Sequence, residues 1–171
     1  MKKHLFFLLS SLIAVHFTSS CGTLKSIVKD VVAPISGEFS ISSPHYSLQV
    51  DFLSCEAVGN DVALEFILIN KGSGDIKSFV LGGKGFRNGE SGVFDNMGNE
   101  YKFSLSLGQS YPSQLSANNQ LPEGVPVKAI ISIKDVNRNI HLLSLVKISI
   151  YDYSSNKYSG VIAFRNVPIV R

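Results

Sequence analysis

The sequence predicts an all-β fold, an antiparallel β-sandwich of about seven to nine strands. Apolar and polar residues alternate with a period of two in the runs 48–52, 62–68, 127–133 and 146–150, which is the pattern of strands that place one face on a core. Clusters of glycine, asparagine and aspartate separate these runs, and no sustained helical period follows Pro34. Short strands with frequent turns favour a sandwich or a barrel, and we favour the sandwich.

The remaining strands and turns follow from the same patterns. Further strands are expected at residues 101–107 and around Ile162 and Phe164. Phe66 is expected to anchor the core, because residues 62–68 form the clearest alternating run. The polar segment 108–119 has no clear period and is expected to form a long loop or an edge. Turn signals lie at 59–61, 71–75, 82–85, 88–92, 96–99, 121–124 and 135–139.

The first twenty residues have the three parts of a signal peptide. Lys2 and Lys3 provide a charged start, residues 5–17 form an apolar run, and the small residues 18–20 lead directly into Cys21. The apolar run is too short to span a bilayer. The sequence therefore predicts a signal peptide at 1–20 that is removed before Cys21.

A cysteine directly after such a site resembles the arrangement in bacterial lipoproteins. Thr18 stands where many bacteria have leucine, and this looser form is similar to lipoproteins of Bacteroidetes-type bacteria. The resemblance implies that the thiol of Cys21 is diacylated and attaches the protein to a membrane. Gly22, Thr23, Leu24 and Lys25 directly follow Cys21, and none of these four residues is acidic. In this class that implies an outer-membrane lipoprotein facing the periplasm. The alternative is an ordinary secretory signal followed by a coincident cysteine.

Residues 21–36 are expected to form the lipidated cysteine and a short linker before a sandwich domain at 37–171. Leu24, Ile27, Val28 and Val31 have helical spacing, and Pro34 prevents continuation. Two interpretations remain open for this segment. It could form an amphipathic turn on the membrane surface, or a short helix or tether that packs on its own domain.

Turn motifs carry a second resemblance, at residues 64–70, 94–101, 121–126 and 164–169. A strand ending in Asn70, the D-x-x-G-N-x-Y sequence at 95–101 and a Pro/Gly entry into a later strand resemble immunoglobulin-like domains of secreted bacterial lipoproteins of unknown function. The resemblance implies an immunoglobulin-like sandwich and an envelope location, and it implies no activity. The chain has no tryptophan, so the core signature of antibody domains is missing.

Composition limits the classes of partner and chemistry. Hydrophobic residues make up 44% and charged residues 17% of the chain, which excludes a disordered protein. The formal net charge of +3 falls by two, to +1, when Lys2 and Lys3 leave with the signal peptide. The charges form no basic block, so no nucleic-acid partner is expected. Cys55 has no cysteine partner if Cys21 carries lipid, and it is expected to be a small buried residue in a strand.

No motif for catalysis or cofactor binding is found, and no cofactor is expected. His45 and His141 are isolated, and no nucleophile elbow is present. Asp95, Asn96, Asn99 and Glu100 could offer oxygen ligands to calcium. The favoured alternative is a β-turn whose aspartate accepts backbone N–H bonds and whose glycine, Gly98, has a positive φ.

Three tyrosines form the candidate contact site. Tyr151, Tyr153 and Tyr158 straddle a turn at 154–157, so they could stack on a sugar or anchor a protein partner. Ordinary cross-strand packing is the alternative, and it is the favoured one. Together these observations predict a non-enzymatic, lipid-anchored envelope protein that binds another envelope protein, a glycan or a host surface. The alternatives are a small periplasmic enzyme that uses a histidine in a pocket and a purely structural envelope component.

Overall fold

The computed structural model describes residues 38–43, 47–88, 90–154 and 157–171. The expected signal peptide at 1–20, Cys21, the linker at 21–36 and His45 lie outside the described residues. In the described part of the chain, no helix is long and apolar enough to cross a membrane.

Two antiparallel sheets pack against each other, as predicted for a β-sandwich. Within the described residues, a 3₁₀ turn at Phe86–Asn88 interrupts the strands. The strands are β1 Ser40–Ser42, β2 Leu48–Val58, β3 Asp61–Asn70, β4 Ile76–Gly82, β5 Gly92–Asp95, β6 Glu100–Tyr101, β7 Phe103–Leu107, β8 Ser116–Leu121, β9 Pro126–Ile133, β10 Leu142–Asp152 and β11 Lys157–Pro168. The small sheet has the order β2-β3-β9-β7. The large sheet has the order β1-β11-β10-β4-β8, with β5 also paired to β10 and β6 paired to β5.

The strand count exceeds the expected seven to nine partly because the strand expected at 101–107 is divided between the two sheets. Tyr101 pairs with Val93 in the large sheet. Two residues later, Phe103 pairs with Ile133 in the small sheet. Lys102 is therefore the residue at which the chain crosses from one layer to the other. The apolar alternation continues through this crossing, so the sequence pattern does not mark it.

Alternating burial on β3 supplies the centre of the core. Val62, Leu64, Phe66 and Leu68 are buried, and the residues between them are partly exposed. The ring of Phe66 lies 5.1 Å from the ring of Phe164 on β11. Because these two strands belong to different sheets, this contact joins the layers. The prediction that Phe66 anchors the core is confirmed.

Strand β10 departs from simple alternation because both of its faces are covered. Ile148 and Ile150 belong to the core, while Ser149 and Tyr151 point to the other face and are also buried. The described residues of segment 83–91, which are 83–88, 90 and 91, lie over that outer face. Ser91 Oγ donates a hydrogen bond to the Gly82 carbonyl at 2.6 Å and accepts one from the Ser149 N–H at 2.8 Å. This side chain thus bridges the place where β10 changes partner from β5 to β4.

The segment expected to be a loop or an edge contains both. Residues 108–115 form a loop, held to β7 by reciprocal Leu105–Ser113 backbone bonds of 2.8 and 2.9 Å. The edge strand β8 then pairs with β4. Ala117 and Leu121 are buried on β8. Asn119 lies between them on the same face and is partly buried, and its Nδ2 donates to the Leu107 carbonyl at 3.2 Å. A polar residue at this position removes the hydrophobic period from the sequence.

The end of the described chain returns to the small sheet. The Val170 N–H donates to the Cys55 carbonyl at 2.9 Å, and the Val170 carbonyl accepts from the Ala57 N–H at the same distance. Residue 170 therefore adds a short parallel bridge to β2. The guanidinium of Arg171 then donates to carbonyl oxygens in two separate turns. The acceptors are Gly59 at 3.2 Å, Asn137 at 3.1 Å and Ile140 at 3.0 Å.

Replacing Phe66 by alanine should remove the contact between the sheets and leave a cavity. We expect Phe66→Ala to lower the free energy of unfolding by about 3–5 kcal/mol, a large part of the stability of a typical domain. Urea unfolding followed by circular dichroism measures this change. Leu53→Ala is the control, because Leu53 is 41% exposed and its truncation should cost much less. Equal midpoints for Phe66→Ala and the wild type would contradict the role of Phe66.

Candidate functional site

Four side chains on the outside of the large sheet form what we call the outer-face cluster: Phe86, Arg87, Tyr151 and Tyr153. The rings of Phe86 and Tyr151 meet edge to face, with centroids 5.3 Å apart and planes at 72°. The Tyr151 hydroxyl donates to the Phe86 carbonyl at 3.2 Å. Tyr153 follows on the same face, its ring 6.4 Å from Tyr151 and nearly parallel to it at 20°. The cluster is thus built on a buried tyrosine and extends to a half-buried one.

Arg87 completes the cluster from a left-handed backbone conformation. Its φ is 46° and its ψ is 41°, a region that costs a non-glycine residue about 1–2 kcal/mol. Its guanidinium carbon lies 4.7 Å from the centre of the Tyr153 ring. A cation–π contact at an exposed position contributes about 0.5–1 kcal/mol, so stacking alone does not offset the backbone strain. A strained residue of this kind is a candidate functional residue.

Two adjacent glycines allow segment 83–91 to lie against the sheet. A Cβ at Gly82 would be 2.9 Å from Phe86 Cδ1 and 3.0 Å from Tyr151 Cε2. A Cβ at Gly83 would be only 1.9 Å from the Gln114 carbonyl oxygen. The sequence pattern at 82–85 predicted a loop, and these contacts explain why glycine is required where that loop begins.

The structure brings two of the three candidate tyrosines together. Tyr151 and Tyr153 are in contact, and Tyr158 pairs with Tyr151 across β10 and β11, although the side chain of Tyr158 lies outside the described part. Tyr151 is only 8% exposed, so it packs and does not present its ring to a partner. Tyr153 and Arg87 form the accessible part of the cluster.

Sequence reasoning missed Phe86 and Arg87. They lie far from the tyrosines in the chain, since the hydrogen bond from Tyr151 to Phe86 spans 65 residues. An aromatic residue and a cation placed between two glycine-rich turns was the only local signal. This local signal does not indicate that Arg87 lies over the ring of Tyr153.

The Asp95 turn has the geometry predicted for a β-turn. Asp95 Oδ1 accepts hydrogen bonds from the N–H groups of Met97 at 2.8 Å and Asn99 at 2.9 Å. Oδ2 accepts from Asn99 Nδ2 at 2.8 Å and from the Tyr101 hydroxyl at 2.7 Å. Gly98 has a φ of 84°. Four protein donors therefore occupy the carboxylate that would have been the first calcium ligand, which supports the turn interpretation.

The same contacts determine the pKa values of Asp95 and Tyr101. Burial by itself raises the pKa of Asp95, but the hydrogen bonds from Asn99, Tyr101 and Met97 outweigh burial and hold the pKa below its usual range. Burial, the hydrogen bond to Asp95 and the negative charge of that carboxylate raise the pKa of Tyr101 to about 12. At neutral pH the pair is therefore a carboxylate and a protonated phenol, joined by a charge-assisted hydrogen bond.

The other reactive side chains are placed apart from the outer-face cluster. Cys55 is buried on β2, as expected, and burial is the main cause that raises the pKa of its thiol to about 12. Its thiol is therefore protonated at neutral pH and weakly nucleophilic. His141 is exposed directly before β10, and its carbonyl accepts the Ile169 N–H at 2.9 Å. Among the described residues, no group of three His, Cys, Asp or Glu side chains could hold a metal ion.

A shallow cavity of about 320 Å³ lies beside the crossing at Lys102. Its walls come from Lys84, Glu100, Tyr101, Lys102, Phe103 and Gln114. Lys84 Nζ is 2.6 Å from Glu100 Oε2, so the cation at one wall already has a carboxylate partner. The outer-face cluster, with an accessible arginine, is the stronger candidate for recognition of a ligand.

No protein-family model matches the chain, and no curated protein or solved structure is similar to it. The fold is therefore assigned from its strand pairing, and the candidate site from its own geometry.

The hydrogen bonds to Asp95 should make stability depend on pH. A carboxyl group whose pKa is lowered by folding stabilises the protein above its unfolded pKa, about 3.9, and that stabilisation is lost as pH falls through the lower folded pKa. We expect Asp95→Asn to cost about 1–3 kcal/mol at pH 7, because buried donors lose an ionised acceptor. The deficit should shrink below about pH 4.

Urea unfolding of the wild type and Asp95→Asn between pH 7 and pH 2.5 measures this dependence. Asp61→Asn is the control, because Asp61 forms an exposed ion pair with Lys134 and should cost less than about 1 kcal/mol at pH 7. A deficit for Asp95→Asn that stays constant over the whole range would contradict the stabilising ionisation of Asp95.

Proposed function

We propose that the chain is a lipid-anchored protein of the bacterial cell envelope whose β-sandwich binds a glycan or another envelope protein and catalyses no reaction. Cys21 is the proposed anchor, and Arg87 with Tyr153 is the proposed contact surface. The observation that carries the binding role is Arg87 itself, an exposed residue with a left-handed backbone whose guanidinium lies over the ring of Tyr153. Membrane attachment depends separately on the sequence around Cys21.

The proposed anchor is supported by the order of the N-terminal segments. A charged start, an apolar run too short to span a bilayer and small residues precede Cys21. Because no acidic residue follows directly, we propose that the protein is in the outer membrane and faces the periplasm. Protease treatment of intact cells should then leave the domain uncut, and cleavage would indicate surface exposure.

The proposed binding role is supported by the rigidity of the surface beneath Arg87. Tyr151 is buried, hydrogen-bonded and in contact with Phe86, and it supports Tyr153 in turn. A rigid aromatic support lowers the entropy lost when a ligand is bound. We further propose that the sandwich is immunoglobulin-like, as the Asp95 turn and the strand ending in Asn70 suggest. An experimental structure that shows a different strand connectivity would contradict this.

Lipidation at Cys21 can be measured directly. We expect an alkyne fatty-acid probe to label the wild type in growing cells and to leave Cys21→Ala unlabelled. Cys55→Ala is a matched control, because it removes the other cysteine of the chain and should keep full labelling. Labelling of Cys21→Ala at the wild-type level would show that lipid is not attached there.

Photo-crosslinking in intact cells tests the contact surface. Benzoylphenylalanine in place of Lys84 lies on segment 83–91 and leaves the outer-face cluster intact. We expect it to form adducts that disappear when Arg87→Ala is added. The same group in place of Val58, which is 85% exposed at the end of β2 in the small sheet, should not form them. Adducts that persist with Arg87→Ala, or identical adducts from position 58, would contradict a role for this surface.

A further inference from the structure

Within segment 83–91, one cation has no carboxylate partner among the residues that the structure describes. The segment contains Lys84, Arg87 and Glu90. Lys84 pairs with Glu100 at 2.6 Å, and Glu90 pairs with Lys147 at 3.2 Å. Over residues 38–43, 47–88, 90–154 and 157–171, the guanidinium of Arg87 has a cation–π contact with Tyr153 and no ion pair or hydrogen bond. Arg87 is therefore the one charged residue of this segment without a partner of opposite charge among the described residues.

The position of the guanidinium over the Tyr153 ring determines how Arg87 can meet a ligand. A guanidinium that stacks on an aromatic ring keeps its N–H donors near its own plane, where they can point away from the ring to solvent. Two of these donors match the two oxygens of a planar carboxylate. The hydroxyl of Tyr153 makes no hydrogen bond to any described residue, and it is a second polar group on the same ring. Arg87 thus offers two parallel N–H donors with a positive charge, and the Tyr153 hydroxyl offers a neutral donor or acceptor beside them.

We propose that Arg87 binds the carboxylate of an acidic sugar, such as a uronic acid residue of an envelope glycan, while the Tyr153 hydroxyl binds a neighbouring sugar hydroxyl. This inference deepens the proposed binding function and rests on it. A single uncompensated cation matches a singly charged carboxylate better than a phosphate that approaches two negative charges. An acidic sugar also carries hydroxyl groups next to its carboxylate, whereas an acidic peptide side chain carries none.

The backbone strain at Arg87 fits this role. Glycine adopts the left-handed conformation without penalty, so glycine at this position would satisfy the turn more easily than arginine does. Arginine at a strained position is explained if its guanidinium is needed there. The edge-to-face contact between Phe86 and Tyr151 and the hydrogen bond between them hold the neighbouring residue in place. The recognition group is therefore positioned before the ligand arrives.

Nuclear magnetic resonance of the full-length protein in detergent can test this proposal. The probe is trigalacturonate, and the readout is the Nε–Hε resonance of Arg87, assigned by its loss in Arg87→Lys. We expect a saturable shift at millimolar sugar that weakens with added salt. The methyl ester of the same trisaccharide and inorganic phosphate should cause shifts at least about tenfold weaker, because they lack a planar carboxylate.

Three variants separate recognition from folding. Because two of them lack the Arg87 resonance, binding by all variants and by the wild type is compared through the backbone amide resonance of Tyr153. Arg87→Lys keeps the charge but loses the fork, and we expect at least about tenfold weaker binding. Arg87→Gly relieves the backbone strain, so its thermal midpoint should equal or exceed that of the wild type while binding is lost. Arg165→Lys alters an exposed arginine elsewhere on the large sheet, and binding should stay unchanged.

The remaining outcomes would overturn the proposal. Absence of any shift with trigalacturonate, or equal binding by Arg87→Lys, would exclude a carboxylate fork at this residue. Equal binding of the methyl ester would leave the proposed glycan-binding function in place but remove its preference for acidic sugars. A stronger shift with phosphate or with a glutamate-rich peptide would assign the site to a different ligand class. Persistent adducts at position 84 with Arg87→Ala would instead count against the proposed contact surface itself.

Discussion

Burial of both faces of β10 is the constraint on which the site depends. The inner face places Ile148 and Ile150 in the core between the sheets, and the outer face carries Ser149 and Tyr151. The large ring of Tyr151 on this face is stable only if it is covered, and the Ser149 N–H needs an acceptor from outside the strands. Segment 83–91 covers it, with Phe86 against Tyr151 and Ser91 bonded to Ser149. The location of Arg87 is a consequence, because it is the residue next to Phe86.

The two layers are held together by more than apolar contact. The chain crosses between the sheets at Lys102, directly after the turn in which Asp95 accepts four hydrogen bonds. It crosses again after β11, where Val170 joins β2 and Arg171 binds carbonyl oxygens of two turns. These polar contacts lie beside the two crossings and occupy backbone donors and acceptors there. Apolar burial drives the packing of the sheets, and the polar contacts determine which residues make the crossings.

Local patterns in the sequence predict the parts of the fold that depend on local physics. The alternation in β3, the positive φ of Gly98 and the backbone bonds to Asp95 each involve residues within a few positions of one another. The crossing at Lys102 could not be predicted, because apolar alternation is the same in either sheet. Strand β8 was ambiguous because Asn119 faces inward and bonds to the other layer. The double burial of β10 depends on a covering segment about 60 residues earlier, which no local period records.

The candidate site could also not be predicted from local sequence patterns. The sequence shows tyrosines on either side of one hairpin turn. It does not show how exposed their rings are, because Tyr151 is buried by Phe86, which is distant in the chain. The feature that indicates function is the combination of a left-handed backbone at Arg87 and a ring beneath its guanidinium. Strain of about 1–2 kcal/mol is affordable only because the well-packed core and the hydrogen-bonded crossings supply stability elsewhere. A domain with such a core can keep one residue in an unfavourable conformation where its side chain has another task.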